Sequence, residues 1–402
     1  MQIILYAIPV FFILMALELA MDIKRQTGYY RLNDAIASLS IGMLSRVFEV
    51  IKTLIPLSIY AVFVDDVARF NWPDTWQFWV VAFVLYDFLY YWNHRLGHEM
   101  SVLWAAHVVH HSSEEYNLTT ALRQTSGSIL NWLFFIPLAF LGIPLALMLS
   151  IAALNLVYQF WVHTRHVGRL GIFDGIVVTP SNHRVHHAQN DIYIDKNYGG
   201  VFILWDRMFG TFQPELDEQP PIYGIRTPLR SWNPMWSNWH LYRQLISDSR
   251  ATALWRDKFK VWFGRTGWRP DDVMATLPPK QSFNPDTFRK FDVPLSFTIK
   301  GYAALQLALG ICLTLSLLTQ FTLMSLVEQL FACVVLVVTL TTLGSLLENK
   351  SWAFSGEVFK WFMVFAMNVL LPVEAWAQWS IGCVFALSIL WLGIRRGDPI
   401  DV

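Results

Sequence analysis

Cysteine is nearly absent. The chain of 402 residues has three, Cys312, Cys333 and Cys383, all inside apolar C-terminal runs. No CxxC and no Cys/His spacing occurs, so a disulfide framework and a thiolate zinc site are excluded, and the thiols read as small apolar side chains in helices. Charge is also scarce. Lys and Arg number 30, Asp and Glu 30, and together they make up 15% of the chain, against roughly 25% in an average soluble domain. With no basic excess, nucleic-acid binding is set aside. The first apolar run has no basic residue ahead of it and no small-x-small cleavage site behind it, while Lys24 and Arg25 follow it. It is therefore expected to remain as a membrane helix rather than serve as a signal peptide. No internal repeat or low-complexity segment is evident.

What fills the chain instead is apolar and aromatic. Hydrophobic residues make up 54%, and there are 19 Trp, 14 Tyr and 29 Phe. A bilayer accommodates that much apolar surface, and Trp and Tyr collect at its interfaces. A helix needs about 20 apolar residues to cross. Candidate spans are 3–21, 35–63, 76–92, 125–142, 145–162, 301–319, 321–345, 354–372 and 375–394. The stretch 35–63 carries Arg46, Glu49 and Lys52 and reads as one tilted helix, a kinked one or a re-entrant pair. The Leu-Gly-Ile-Pro turn at 141–144 makes 125–162 a helical hairpin. Lys24, Arg25 and Arg31, then Arg165, Arg169 and Arg184, then Arg395 and Arg396 all fall on one side if nine spans start from an outside N-terminus. The positive-inside rule makes that side cytoplasmic. The expected fold is all-α: a polytopic membrane helical bundle with a cytosolic histidine-rich helical cap. Residues 1–75 form N-terminal membrane helices, 76–215 a catalytic core, 216–300 a cytosolic or interfacial segment and 301–402 C-terminal membrane helices. Within 216–300, Trp255, Phe259, Trp262 and Phe263 alternate with Arg256, Lys258 and Lys260, the pattern of a basic amphipathic helix on a membrane surface. Trp232, Trp236 and Trp239 read the same way. Packing of a small cap is the competing reading for both sets.

Ten of the 11 histidines lie between positions 94 and 187. His94 and His98 are an i, i+4 pair. His107, His110 and His111 have i, i+3, i+4 spacing, and His183, His186 and His187 repeat it. On a helix these spacings aim the rings at one point. His163 follows the fifth span at the same depth. His166 and His240 sit off the pattern and read as ordinary polar residues. Imidazole suits Zn, Cu, Fe and Ni, and one zinc needs three or four ligands, so this number of rings fits two ions. Open positions on such a pair bind O2 and lead to C–H oxidation. A zinc protease would need His-Glu-x-x-His, but here Glu99 follows the second histidine. Metal-bound imidazoles give their other N–H to a carboxylate or carbonyl. Of the nearby Glu99, Glu114, Glu115, Asp191, Asp195 and Asp206, Glu99 and Asp195 are the best candidates for that supporting role. Asn117, Asn197 and Tyr198 line the site or cap helices, and Gly199-Gly200 gives the chain freedom to turn back.

The three boxes resemble those of the fatty acid hydroxylase/sterol desaturase superfamily of membrane di-iron enzymes. The flanking sequences HVVHHSSEEYNLTTALRQT from His107, YQFWVHTRHVGRLG from Tyr158 and TPSNHRVHHAQNDIYIDKNYGGVFILWDRMFGTF from Thr179 look most like its ether-lipid-cleaving branch, over roughly residues 85–215. The resemblance implies two iron ions on His94, His98, His107, His110, His111, His163, His183, His186 and His187, with O2 as co-substrate and a lipid as substrate. Some members carry a further histidine where this chain has Gln159, which is then a weak ligand or a supporting residue. It also implies tetrahydrobiopterin as reductant in that branch, and cytochrome b5 or ferredoxin-type donor proteins elsewhere. A sterol, sphingolipid or aminolipid hydroxylase or desaturase of the same superfamily is the alternative enzyme. A non-catalytic metal-handling protein is the alternative class, against which the clustering of the histidines at span ends counts.

Overall fold

The structure, a computed structural model, describes residues 2–52, 54–125, 130–278, 283–370 and 388. Among them all regular structure is helical apart from three isolated bridges, Met100 with Arg265, Val177 with Phe202 and Ala188 with Tyr223. The all-α class expected from the sequence is the one that forms, since a helix satisfies its own backbone groups where no water is available. The helices are α1 Gln2–Arg25, α2 Leu32–Lys52, α3 Leu54–Val67, α4 Trp76–Glu99, α5 Ser101–His111, α6 Leu118–Ala121, α7 Ile136–Phe140, α8 Leu145–Trp161, α9 Pro180–His186, α10 Leu204–Phe209, α11 Pro234–Ala251, α12 Trp255–Phe263, α13 Asp271–Thr276, α14 Phe297–Gln320, α15 Leu326–Leu347 and α16 Ala353–Leu370.

Three of them, over Ile3–Arg25, Phe297–Gln320 and Leu326–Leu347, are long and apolar enough to cross a membrane, and the protein is an integral membrane protein. The stretch 35–63 forms two helices, α2 and α3. On either side of the 141–144 turn lie the shorter apolar helices Asn131–Phe140 and Leu145–Trp161; the second matches the expected 145–162 to within one residue, and part of the expected 125–142, residues 126–129, lies outside the described residues. The turn itself explains the break: Gly142 has φ +78°, and a Cβ there would lie 2.0 Å from the Phe70 carbonyl oxygen. The expected span 375–394 lies outside the described residues apart from position 388.

The chain divides into two compact units. One comprises 1–31, 48–229 and 238–290 and holds every histidine of the boxes. Its largest apolar cluster joins Tyr60, Phe78, Ala82 and Tyr86 to Leu138, Ile143, Leu147 and Ile151. The other comprises 32–47, 230–237 and 291–402. There α15 packs against both α14 and α16, and Ile36, Trp232, Tyr302, Leu343 and Leu347 form a core. Trp232 is thus an interior side chain, its backbone N–H held by Glu348 at 2.7 Å, which favours packing over the interfacial position among the two readings its spacing left open. Trp239, on α11, is exposed.

Candidate metal centre

Four pieces of the chain assemble the site: the end of α4, helix α5, the residues after α8, and α9. Helix α4 starts at Thr75, whose side chain accepts from the Phe78 N–H, and runs without interruption to Glu99, so His94 and His98 ride on its last turns. One extended residue, Met100, then separates it from α5. That break is clamped from a distant segment: the Ser101 N–H donates to the Gly264 carbonyl at 3.0 Å and the Thr266 N–H to the Glu99 carbonyl at 3.1 Å. The sharp turn folds α5 against α4 and sets His107 and His111 beside His94 and His98. His163 is the second residue after α8 ends. The third box sits on α9, seven residues long, started by Pro180 at its first position and a reciprocal Thr179–Asn182 capping box.

The nine histidines named from the sequence come together as two sets. In one, a ligand nitrogen from each of His94, His98, His107, His111 and His186 lies within 4.8 Å of every other; in the second, the same holds for His110, His163, His183 and His187. The sets adjoin, with the His111 and His187 rings stacked at 4.3 Å. His166 and His240 belong to neither.

The hydrogen bonds show what the pockets want. His94 Nδ1 faces the Tyr198 carbonyl at 2.8 Å, His110 Nδ1 the Arg123 carbonyl at 3.0 Å, His163 Nδ1 the Gln159 carbonyl at 2.7 Å and His186 Nδ1 the Lys196 carbonyl at 3.0 Å. A carbonyl only accepts, so each Nδ1 carries the proton and each Nε2 of a neutral ring is left with a bare lone pair. Burial holds these rings neutral, pushing His110 down to about 4 and His163 well below the usual histidine range. Yet His110 Nε2 and His163 Nε2 sit 3.4 Å apart, acceptor against acceptor. His98 Nε2 and His186 Nε2 are buried with no hydrogen-bond partner. Opposed and orphaned lone pairs of this kind are costly without a cation. The donor set therefore fits a metal ion in each group.

The carboxylates behave differently from the supporting role expected for Glu99 and Asp195. Glu99 pairs with Arg95 at 3.0 Å, and Asp195 lies 3.7 Å from Arg265. Glu115 holds Arg31 at 2.5 Å and Lys290 at 2.6 Å, Glu114 lies 4.0 Å from Arg31, and Asp191 pairs with Arg226. Main-chain carbonyls orient four of the rings instead. Gln159 contributes its carbonyl to His163, while its side-chain oxygen accepts from Tyr90. Asn117 caps α6, and Gly199-Gly200 has a different job from the one expected. Neither glycine adopts a positive φ. A Cβ on Gly199 would lie 2.6 Å from the Phe202 carbonyl oxygen, and one on Gly200 would lie 2.8 Å from Asp87 Oδ1; close approach is what requires them. Sequence reasoning missed Asp87, a fully buried carboxylate on α4. It accepts from the backbone N–H groups of Val201 (2.8 Å) and Phe202 (3.0 Å), from Trp205 Nε1 (2.9 Å) and from Asn155 Nδ2 (2.8 Å). An ionisable residue on an apolar helix was its only signal.

Nine imidazoles in two adjoining groups, eight buried and His107 half-buried, inside a helical membrane protein, define a histidine-ligated membrane metalloenzyme. The Fatty acid hydroxylase family matches residues 79–211, which contain all nine. Over almost its whole length the chain is similar to the alkylglycerol monooxygenases. It is 36% identical to the Homo sapiens enzyme across 400 residues, 97% of this chain and 88% of that one. It is also 36% identical to the Danio rerio enzyme, across 90% of this chain and 81% of that one. An ornithine lipid hydroxylase from Rhizobium tropici is 33% identical over 153 residues, 35% of this chain and 44% of that one. No solved structure matches. The chain belongs to the alkylglycerol monooxygenase family, and it is an oxidoreductase, a membrane monooxygenase of lipids.

Proposed function

We propose that this protein cleaves the O-alkyl bond of ether lipids by hydroxylating the carbon next to the ether oxygen, using two iron ions held by the two histidine groups. The paired imidazole groups with inward lone pairs, in a chain of this family, carry the reading. An alkylglycerol, O2, two electrons and two protons give a hemiacetal and water; the hemiacetal then collapses to a fatty aldehyde and free glycerol hydroxyl. Bound iron supplies the activation of O2. The protein's own part is placement and exclusion of water. His94, His98, His107, His111 and His186 hold one ion; His110, His163, His183 and His187 hold the other. Buried Tyr116 packs against His163 and His187 at 5.5 and 5.2 Å, and Trp104 against His98 at 4.9 Å, closing the site with apolar rings. Glu99 and Asp195, partly exposed and facing Arg95 and Arg265, are the carboxylates proposed to serve proton traffic. Tetrahydrobiopterin is the proposed two-electron donor, in place of a donor protein.

Residues 76–215 are the proposed catalytic core, and the family match over 79–211 supports that assignment. Residues 1–75 and 301–402 are the proposed flanking membrane helices, in a nine-span topology with the histidines on the cytoplasmic side, which the distribution of Lys and Arg favours. Residues 216–300 are the proposed interfacial segment. Trp255, Phe259 and Phe263 project from α12 into solvent, 74%, 63% and 58% exposed, while Val261 is buried, as suits a helix lying on a lipid surface.

The test is turnover by purified, iron-loaded protein with reduced pterin under O2, scored as fatty aldehyde released from a long-chain 1-O-alkylglycerol. Stoichiometric aldehyde that disappears without O2 supports the reading. Turnover of a sterol or an aminolipid with no turnover of alkylglycerols would replace it with another hydroxylase of the superfamily.

A further inference from the structure

We infer that the loop from Asp195 to Gly199 is a positioning clip whose carbonyls orient the five-histidine group alone, with Asp206 holding those carbonyls in place and Asn197 tying the loop to α9, so that one metal site is tunable through Asp206 without the other. The inference rests on the two-ion reading above.

The loop is unusual in its backbone. Asp195 and Asn197 both have left-handed conformations, φ +58° and +57°. Non-glycine residues adopt that region at a cost, and it persists where the surroundings over-determine it. The alternation has a geometric result. Lys196 and Tyr198, the residues that follow the two left-handed positions, turn their carbonyls onto His186 Nδ1 (3.0 Å) and His94 Nδ1 (2.8 Å). These rings come from different helices, α9 and α4, and both belong to the five-histidine group. One five-residue loop thus fixes the tautomer and rotation of two of its five imidazoles. The carbonyls oriented toward the four-histidine group, of Arg123 and Gln159, come from elsewhere in the chain.

Two side chains supply the over-determination. Asp206 accepts from the Tyr198 N–H at 2.7 Å, the Gly199 N–H at 2.8 Å and Thr211 Oγ1 at 2.7 Å. Asn197 donates through Nδ2 to the Asn182 carbonyl at 3.0 Å and the Gln213 carbonyl at 2.8 Å, and its Oδ1 accepts from the Gln213 N–H at 2.8 Å. Its own N–H donates to the Thr211 carbonyl at 3.0 Å. Both residues are buried. Neither touches an imidazole nitrogen: Asp206 acts through the loop, and Asn197 acts through the loop and through its bond to α9, which carries His183 and His187 as well as His186. This is the outer support that metal-binding histidines ordinarily receive from a carboxylate, displaced by one link: carboxylate to backbone N–H, then carbonyl of the same residue to imidazole.

The experiment is anaerobic Fe(II) equilibrium dialysis with metal analysis on the full-length protein in detergent, comparing wild type, Asp206→Ala, Asp206→Asn and Asn197→Gly, with amide exchange read across 195–199. Asn197→Gly accepts the left-handed φ but loses the side-chain bonds, so it separates strain from anchoring. We expect wild type to hold two ions. Asp206→Ala should hold one unchanged and bind the other roughly 10- to 100-fold more weakly, the usual range for loss of an outer partner; Asn197→Gly, which also releases α9, should weaken that same ion more than its neighbour, and both variants should exchange faster in the loop. Asp206→Asn, which keeps one acceptor oxygen, falls between. Two ions retained at wild-type affinity in Asp206→Ala, or both ions weakened equally in it, overturns the clip, as does an Asn197→Gly protein in which neither ion is weakened or both are weakened equally. Where Asp206→Ala does not fold, Asp206→Asn and Asn197→Gly decide by the same comparison. Fewer than two ions on wild type would instead overturn the two-ion reading itself.

Discussion

Replacing Asp87 is expected to be the most damaging single change outside the histidines. The carboxylate is fully buried on α4 and takes four hydrogen bonds, from the Val201 and Phe202 backbone N–H groups, Trp205 Nε1 and Asn155 Nδ2, all between 2.8 and 3.0 Å. Asp87→Ala leaves four donors facing an apolar void. Each orphaned buried donor costs about 1–3 kcal/mol. Even with water rescuing half of them, a loss of about 2–6 kcal/mol remains, a large share of the roughly 5–15 kcal/mol that stabilises a typical protein. Asp87→Asn is expected to cost less, since its amide oxygen still accepts while its NH2 group confronts another donor. Leucine is not a rescue: it fills the space but satisfies none of the four. The assay is thermal and denaturant unfolding in one detergent, with near-UV circular dichroism as a second probe. If Asp87→Ala unfolds within about 1 kcal/mol of wild type, those four donors do not depend on the carboxylate in the way argued here.

Arg184 binds Glu215 through two nitrogens, at 2.9 and 2.7 Å, and also donates to the Thr164 and Val167 carbonyls. Arg184→Ala should cost about 3 kcal/mol, and Arg184→Lys should recover only part of it because a lysine has no fork; equal stability of the two variants in a melt would contradict this. Stripping iron with a chelator should lower the melting temperature and refilling should restore it, since an ion at about 100-fold over its dissociation constant contributes about 2.7 kcal/mol. Coincident melts of loaded and stripped protein would mean the opposed lone pairs of His110 and His163 need no cation. A spin label at Phe259→Cys in a background lacking the native cysteines should show shallow contact with lipid in nanodiscs. A signal from a fully aqueous environment would remove α12 from the membrane surface.

Much of this architecture was legible in the residues, for reasons that differ from part to part. The histidine spacings mattered because helical periodicity is rigid, and the nine rings expected from spacing and family likeness are the nine that assemble; but only the i, i+4 pairs, His94 with His98, His107 with His111 and His183 with His187, enter one set together, while the i+3 rings His110 and His186 go to the opposite set, so the triplets do not aim at one point as expected. The division of those nine into a set of five and a set of four was not legible. It depends on the turn at Met100, on the closeness of His186 to α4 and of His163 to α9, and none of these is a local property. The supporting groups were the hardest to read. Carboxylates announce themselves in a sequence, so Glu99 and Asp195 drew attention, but the structure gives the orienting bonds to main-chain carbonyls, which every residue has. Asp195 sits in the right loop, and its left-handed backbone matters more visibly there than its side chain. The membrane pattern was legible where apolar runs are unbroken, as in α1, α14 and α15. The break at 141–144 was legible too, because a glycine turn pressed against the Phe70 carbonyl sits where Leu-Gly-Ile-Pro places it.

The junction between α4 and α5 has a consequence for biosynthesis. All nine imidazoles have been synthesised once residue 187 leaves the ribosome, but the segment that clamps the junction, Gly264 to Thr266, follows more than seventy residues later. At about 5–20 residues per second the nascent chain spends several seconds with its ligands made and their scaffold unfinished. On the two-ion reading proposed above, loading is expected to be a late event: a chain truncated anywhere between the third box and Gly264 would carry all nine imidazoles yet lack the backbone bonds that clamp the α4–α5 junction.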